Sequence, residues 1–338
     1  MISWASFSRQ PFLPAGLSFL RGVLGIGLPF LLLHPSPVFH LAAAFLFTFA
    51  ALTDYWDGLL ARRYHSESDF GKILDPTMDK ILILVPLAFF SFLGLYSPWW
   101  LVPIFVREIG VTFCRIGWLL EGKAVGAEKL GKWKFGVQVV ALACAFLYFI
   151  SFDFSFLVPW RHGLEFLKMI SLAAAIFLTL LSGFSFLRAN RAHFQSPRFA
   201  RFTGALGVGL IPFAPGTWGT AAGLGVVLLT HWNGWLYAAV CFLLGWAGYW
   251  AVSRIDLSAD KDPPFVVMDE ACGIFLPFVA IPLTVSSVLA GFFLFRLLDV
   301  LKPYPLRRLE KLPGWWGILC DDLGAGFYAW LLMRVLFR

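Results

Sequence analysis

Charge is what this sequence has least of. Only 14% of its 338 residues are Asp, Glu, Lys or Arg, where an ordinary soluble domain carries about a quarter. So few charges cannot clothe a water-facing surface. Cysteine is sparse too. The five are Cys114, Cys144, Cys241, Cys272 and Cys320, an odd number with no C-x-x-C pair. That excludes a disulfide framework and a zinc-finger-like site. Four of them sit in or beside apolar runs, where a free thiol behaves as a small hydrophobe. Internal repeats and low-complexity tracts are also missing. Acids are the minority charge, and the net charge is +7. In a water-soluble chain such a balance would suggest nucleic acid as a partner. In so apolar a chain the basic residues instead mark cytoplasmic loops and attract anionic lipid, so no nucleic-acid partner is expected.

What is abundant is apolar. Hydrophobic residues make up 59% of the chain, with 37 Phe and 15 Trp, and the mean hydropathy is +0.77. The fold expected is an all-α integral membrane protein, because a lipid solvent demands internally satisfied backbone. A spanning helix needs ~20 apolar residues. The first half offers such runs at 17–33, 38–60, 73–95, 99–120, 135–152 and 166–187. The first is interrupted by Arg21 and lacks a clear small-residue cleavage site, so it reads as a retained span and not a leader. The connections sort by charge. One set holds Arg62, Arg63 and Lys72, then Lys123, Lys129, Lys132 and Lys134, then Arg188, Arg191, Arg198 and Arg201. The alternate set, at 34–37, 94–98 and 151–165, holds Arg161 as its only Lys or Arg. Positive-inside logic puts the first set and the N-terminus in the cytoplasm. A polar basic stretch then interrupts the pattern, which predicts a domain at 1–190, a linker at 191–201 and a second domain at 202–338. Apolar runs in the second half, at 217–229, 236–252, 273–282, 283–298 and 323–337, are shorter, and leave tilted or re-entrant segments open.

Residues 54–79 read DYWDGLLARRYHSESDFGKILDPTMD. Positions 54, 57, 58, 61 and 62 fall on one helical face, and 71, 75 and 79 on another. Four carboxylates there (Asp54, Asp57, Asp75 and Asp79) would repel one another unless a divalent cation joined them. Carboxylate oxygens are the hard ligands that Mg2+ and Mn2+ prefer. Gly58 and Gly71 leave room for a ligand to approach the backbone, and Arg62 offers a cation for phosphate.

These residues resemble the CDP-alcohol phosphatidyltransferase family, whose pattern D-x2-D-G-x2-A-R-x8-G-x3-D-x3-D is filled by Asp54, Asp57, Gly58, Ala61, Arg62, Gly71, Asp75 and Asp79. The resemblance covers roughly residues 10–190 and implies a six-span helical bundle that usually dimerises. It implies that Asp54, Asp57, Asp75 and Asp79 hold one or two divalent metals, Mg2+ or Mn2+, against the pyrophosphate of CDP-diacylglycerol. Asp54, Gly58, Ala61, Arg62 and Gly71 would hold the CDP moiety. Asp79 would be the general base on an acceptor hydroxyl, and CMP would leave.

For the acceptor, Arg107 within an apolar run is costly unless paired with Glu108 or a carbonyl, or unless it serves an anion pocket. The segments REIGVTFCR and GKWKFGVQ are similar to bacterial phosphatidylglycerophosphate synthases, which implies sn-glycerol 3-phosphate as acceptor. Arg107, Arg115, Lys132 and Lys134 are the candidates for its phosphate.

The second half concentrates its polar residues in four stretches. They are GVGLIPFAPGTWGT, the Asp269–Glu270 pair, FRLLDVLKPYPLRR, and CDDLGAG with Asp321 and Asp322. Taken singly, the Gly/Pro run could be a breaker, and the Asp pair a polar start to the last helix. As a set they resemble phosphatidylglycerophosphatase A, a Mg2+-dependent lipid phosphatase, over roughly 200–338. The resemblance implies that Asp269, Glu270, Asp321 and Asp322 bind metal or activate water. It implies that Arg296, Asp299 and Lys302 position the phosphomonoester, with Thr217 contacting phosphate or capping its helix.

The expectation is a bifunctional phosphatidylglycerol synthase, multi-pass in a bacterial inner membrane, with both sites facing the cytoplasm. It would work on membrane phospholipid as a homodimer. A transferase with another acceptor, such as inositol phosphate, and a non-catalytic ion-binding or scaffold protein are the alternatives.

Overall fold

The computed structural model describes residues 13–64, 69–123, 129–256 and 263–337. All regular elements among them are helices. The chain divides into two compact units, Met1–Cys114 with Gly126–Ala189, and Arg115–Val125 with Asn190–Arg338.

The first unit is built from α1 (Leu13–Leu33), α2 (Pro37–Tyr64), α3 (Asp69–Phe92), most of α4 (Pro98–Leu120), α5 (Lys129–Ile150) and α6 (Arg161–Ala189). Its helices bury one stripe and leave an equally apolar stripe outside. On α2, Ala43, Phe47 and Ala50 are buried while Phe45, Phe49 and Leu52 are exposed. Phe47 and Phe90 both pack on Phe146, with ring centroids 5.2 and 4.9 Å apart. On α6 the pattern is inverted relative to a soluble helix. Lys168, Ser171, Thr179 and Ser182 face inward, and Phe166, Phe177 and Phe184 face out. Polar groups inside and aromatic ones outside suit a lipid solvent, where helices associate through packing and hydrogen bonds. The buried Lys168 donates to the Leu95 carbonyl at 3.0 Å and lies 4.1 Å from the Tyr148 ring centroid, so its charge is compensated.

Among the described residues three helical stretches are long and apolar enough to cross a membrane: Leu130–Ile150, Ser155–Ala189 and Gly234–Val252. Two shorter apolar helices, Ser18–Leu33 and Pro37–Thr53, accompany them.

The second unit contains α7 (Pro197–Gly204), α8 (Pro215–Thr230), α9 (Gly234–Val252), α10 (Met268–Gly273), α11 (Val285–Leu301), α12 (Leu306–Leu309) and α13 (Trp315–Leu336). The basic stretch 191–201 is helical here. A 3-10 turn at Arg191–Gln195 leads into α7, whose Phe199 is buried between Trp118 and Trp250. The apolar run at 273–282 is not a helix of its own. It is a 3-10 turn, Leu276–Phe278, with extended flanks, and Ile274, Phe275 and Phe278 are sealed in the core. Irregular backbone in so apolar a setting requires partners for its carbonyls. Tyr237 donates to Phe275, His231 to Phe278 at 2.9 Å and Trp330 to Val279 at 3.0 Å. α11 then starts on a capping box between Thr284 and Ser287. Its buried stripe Ser287, Gly291, Phe295, Asp299 carries a carboxylate inward at the far end.

Candidate active sites

The motif residues of 54–79 lie on two helices. Positions 54, 57, 58, 61 and 62 fall in the last turns of α2, and 71, 75 and 79 in the first half of α3. The side chains of Asp54, Asp57, Gly58, Ala61, Arg62, Gly71 and Asp75 lie outside the described residues. Asp79 is described, and it accepts a hydrogen bond from Arg21 of α1. The other terminal nitrogen of Arg21 donates to Ser18 at 2.9 Å. This pairing depends on how α1 meets α3. A Cβ on Gly25 would stand 2.9 Å from the Leu82 Cα, so only glycine permits that approach. Ser18, Arg21, Gly25, Leu28 and Leu32 form the buried face of α1.

Farther along the same unit, Glu108 of α4 gathers a polar cluster. It accepts from Lys134 of α5, from Arg107 at 3.3 Å and from Gln138 at 3.4 Å. Gln138 also donates to Thr179 of α6 at 3.2 Å. Two cations thus share one carboxylate, which leaves the cluster one positive charge in excess. The buried Nε of Arg107 has no hydrogen-bond partner. Lys132, two residues from Lys134, is exposed, and Arg115 belongs to the second unit. Of the four acceptor-phosphate candidates, Arg107 and Lys134 are therefore brought together.

In the second unit, α10 and α13 present three acids to one point. Ligand atoms of Asp269, Glu270 and Asp322 all lie within 4.8 Å of one another. The helices reach that closeness through small residues. A Cβ on Gly273 would stand 2.9 Å from the Asp322 carbonyl oxygen, and one on Gly223 of α8 would stand 2.7 Å from the Ala271 Cα. Asp269 and Asp322 are buried, while Glu270 is the more open of the three. Burial pushes Glu270 up to about 7, with the Asp299 charge adding to the rise and Arg296 opposing it. Arg296 of α11 stands beside them, 2.6 Å from Asp299, 3.8 Å from Glu270 and 3.4 Å from Thr220. Gly216, in the first turn of α8, packs against both the Glu270 carboxylate and the Arg296 guanidinium. Thr217, one position on, is exposed.

Asp321 and Asp322 face different neighbours. Asp321 accepts from Lys302 at 2.5 Å, and Lys302 also donates to Glu310. These two carboxylates hold the Lys302 ammonium above its ordinary pKa against the opposing effect of burial. The Asp pair is also not a helix start, because α13 begins at Trp315, six residues earlier than Asp321.

Two families account for almost the whole chain. Residues 11–190 match the CDP-alcohol phosphatidyltransferase family, and residues 202–337 match phosphatidylglycerophosphatase A. The chain belongs to the CDP-alcohol phosphatidyltransferase family, joined to a phosphatidylglycerophosphatase A domain. A Bacillus subtilis CDP-diacylglycerol–glycerol-3-phosphate 3-phosphatidyltransferase is 34% identical over 159 residues, 46% of this chain and 76% of that protein. The Haemophilus influenzae phosphatidylglycerophosphatase A is 43% identical over 130 residues, 36% of this chain and 78% of that protein. A Bacteroides thetaiotaomicron protein named for phosphatidylinositol-3-phosphatase activity is 35% identical over 138 residues, 38% of this chain and 87% of that protein.

CDP-alcohol phosphatidyltransferases are generally dependent on a divalent metal; separately, the Asp269, Glu270 and Asp322 cluster of the second unit fits a divalent cation. Buried oxygens Glu270 Oε2 and Asp322 Oδ2 have no hydrogen-bond donor. An oxygen-only donor set with spare lone pairs suits a hard cation. In sequence Arg21 reads only as a charge that interrupts the first apolar run, with no site role attached to it. Its signal was present, since a lone Arg inside an apolar run must be paired.

Proposed function

We propose that this chain makes phosphatidylglycerol in two steps. Its first domain transfers phosphatidyl from CDP-diacylglycerol to sn-glycerol 3-phosphate and releases CMP. Its second removes the terminal phosphate of the phosphatidylglycerophosphate so formed. The observation that carries this reading is the pair of relatives, whose names describe consecutive reactions, matched by consecutive parts of one polypeptide. The boundaries proposed are 1–190 and 202–338 with a connecting stretch between. The first domain is read as six membrane spans in an inner membrane, with both sites on the cytoplasmic side and a homodimer as the assembly.

In the first domain Asp54, Asp57, Asp75 and Asp79 would hold Mg2+ or Mn2+, two ions in all, and Asp54, Gly58, Ala61, Arg62 and Gly71 the CDP moiety. The ions would neutralise charge on the pyrophosphate. Asp79 takes the proton from the acceptor hydroxyl. That oxygen bonds to the phosphorus bearing diacylglycerol while the bond to CMP breaks. Arg107 and Lys134 bind the acceptor phosphate, an assignment supported by the surplus positive charge around Glu108 and the spare Arg107 N–H. Lys132 and Arg115 are the weaker pair for this role, one on an exposed face and the other within the second unit.

In the second domain Asp269, Glu270 and Asp322 would hold Mg2+, which would supply a Lewis acid for the phosphate. Arg296, braced by Asp299, binds the phosphomonoester oxygens, with the exposed Thr217 nearby in sequence to Gly216. Water adds to phosphorus, the bond to the glycerol oxygen breaks, and that oxygen takes a proton. Asp321 serves indirectly, by fixing Lys302.

The test is a lipid assay with labelled glycerol 3-phosphate and purified chain. The intact protein should give phosphatidylglycerol and CMP, and Asp322→Asn should stall at phosphatidylglycerophosphate. No labelled lipid from the wild-type chain would end the reading. The name of the Bacteroides relative favours one alternative, an inositol phosphate acceptor. CMP release with inositol phosphate but not with glycerol 3-phosphate would establish it.

A further inference from the structure

Asp79 is the group proposed to take the proton, yet the described contact it makes is with a residue outside the motif. Arg21 comes from a different helix, 58 positions earlier, and donates to Asp79 Oδ1. Its side chain is 2% exposed, whereas that of Asp79 is 21% exposed. The guanidinium is therefore sealed inside the bundle and the carboxylate keeps a face toward solvent. A sealed guanidinium does not meet a substrate that arrives from solvent, and Asp79 is the described carboxylate through which it can act.

We propose that Arg21 is a positioning residue for the transferase reaction, which holds the Asp79 carboxylate at one rotamer by a charge-assisted bond while Ser18 fixes the guanidinium from behind. The proposal rests on the reading of Asp79 as general base.

Three observations favour positioning over a simple brace between helices. Burying an Arg in an apolar helix is costly, and packed apolar residues at that place would join α1 to α3 as well or better. The rest of that contact already does so, through Gly25 against Leu82 and the sealed Leu28 and Leu32. Second, the Arg has two anchors. The bond to Ser18 at 2.9 Å removes the freedom that a lone ion pair would leave. A planar fork held at both ends sets direction as well as charge. Third, the pair links the face of α1 to the part of α3 that carries the last aspartate of the motif. Asp79 can then be aimed by a residue that binds neither nucleotide nor acceptor.

The experiment compares Arg21→Met, Arg21→Lys and Ser18→Ala in the full chain, in detergent–lipid micelles with CDP-diacylglycerol and glycerol 3-phosphate. Misplacement of a reacting group by about 1 Å costs on the order of 100-fold in rate. Arg21→Met should lose about that factor in kcat, with KM for CDP-diacylglycerol little changed. Phosphatase turnover on supplied phosphatidylglycerophosphate should be retained, which serves as an internal control for folding. Arg21→Lys should recover part of the rate. Wild-type kcat in Arg21→Met would overturn the proposal. So would parallel loss of transferase, phosphatase and melting temperature, which is what a structural brace predicts. If Arg21→Met does not accumulate, Ser18→Ala decides: a several-fold fall in kcat at unchanged melting temperature supports the proposal, and an unchanged kcat overturns it. Should the wild-type chain release no CMP, the reading of the first domain has failed, a result distinct from any of these.

Discussion

At the scale of single residues, the phosphatase acids make the clearest pH prediction. Glu270 sits on a six-residue helix outside the candidate spans, and burial lifts it to about 7. Between the ordinary carboxylate value and about 7 the folded chain binds more protons than the unfolded one. Without metal, stability therefore falls as pH rises through that window. A bound cation must displace the same proton, so Mg2+ affinity should strengthen from pH 6 toward 7 and level off above it. Calorimetric titration of the full chain with Mg2+ at pH 6 and pH 8 checks this, and equal affinities would count against Glu270 as a ligand. Glu270→Gln should flatten the pH dependence of melting and weaken Mg2+ binding together. Which acids group was only half legible in sequence. Asp269, Glu270 and Asp322 were all marked by their motifs, and they converge. Asp321 was marked equally, but adjacent helical positions point about 100° apart. Only the fold reveals that Lys302 takes one of them. Arg21 was visible as a charge in an apolar run, but its partner lies 58 positions away, a separation no local pattern encodes.

At the scale of elements, hydropathy located the helices well because a lipid-solvated helix is apolar over most of its length. The runs read at 17–33, 38–60, 99–120, 135–152 and 166–187 each fall mainly within one helix, α1, α2, α4, α5 and α6. The run at 273–282 did not become one. Its apolar residues fill a core whose carbonyls are satisfied by His231, Tyr237 and Trp330, and hydropathy is blind to that arrangement. Small residues do the joining between elements. Gly223 lies on the Ala271 backbone, so a side chain there must push α8 from α10, which carries Asp269 and Glu270. Gly223→Leu should destabilise the second unit by roughly 1–3 kcal/mol, the usual effect of overpacking. Phosphatase turnover should fall with it, while CMP release by the first domain persists. Parallel loss of both activities would mean that the two units do not fold as separate cores. Melting followed together with both assays checks the outcome.

At the scale of the whole molecule, the membrane reading makes a prediction about sidedness. Three stretches meet the length and hydropathy of a span among the described residues. Two further helices of the first unit, α1 and α2, are apolar over Ser18–Leu33 and Pro37–Thr53, and the others carry charges. α2 ends in the aspartates and arginines of the motif, α3 begins with them, and α4 carries Arg107 and Glu108 in its middle. Such charges lower hydropathy without moving a helix out of the bilayer when they face inward or lie at the cytoplasmic end. If all six cross, the loops near Ser97 and Ser155 lie outside the cell, and the basic stretch near Gln195 lies inside. Ser97 and Ser155 belong to the connections whose only Lys or Arg is Arg161, Gln195 belongs to the basic set, and all three side chains are exposed. Cysteines placed singly at these positions, read against the five native thiols as background, should divide under a membrane-impermeant thiol reagent applied to intact cells. Ser97→Cys and Ser155→Cys should label at once, and Gln195→Cys only after permeabilisation. Labelling of Gln195→Cys from outside would place the basic connections, and the motif helices that lead to them, outside the cell, and the six-span arrangement with cytoplasmic sites would fall with it.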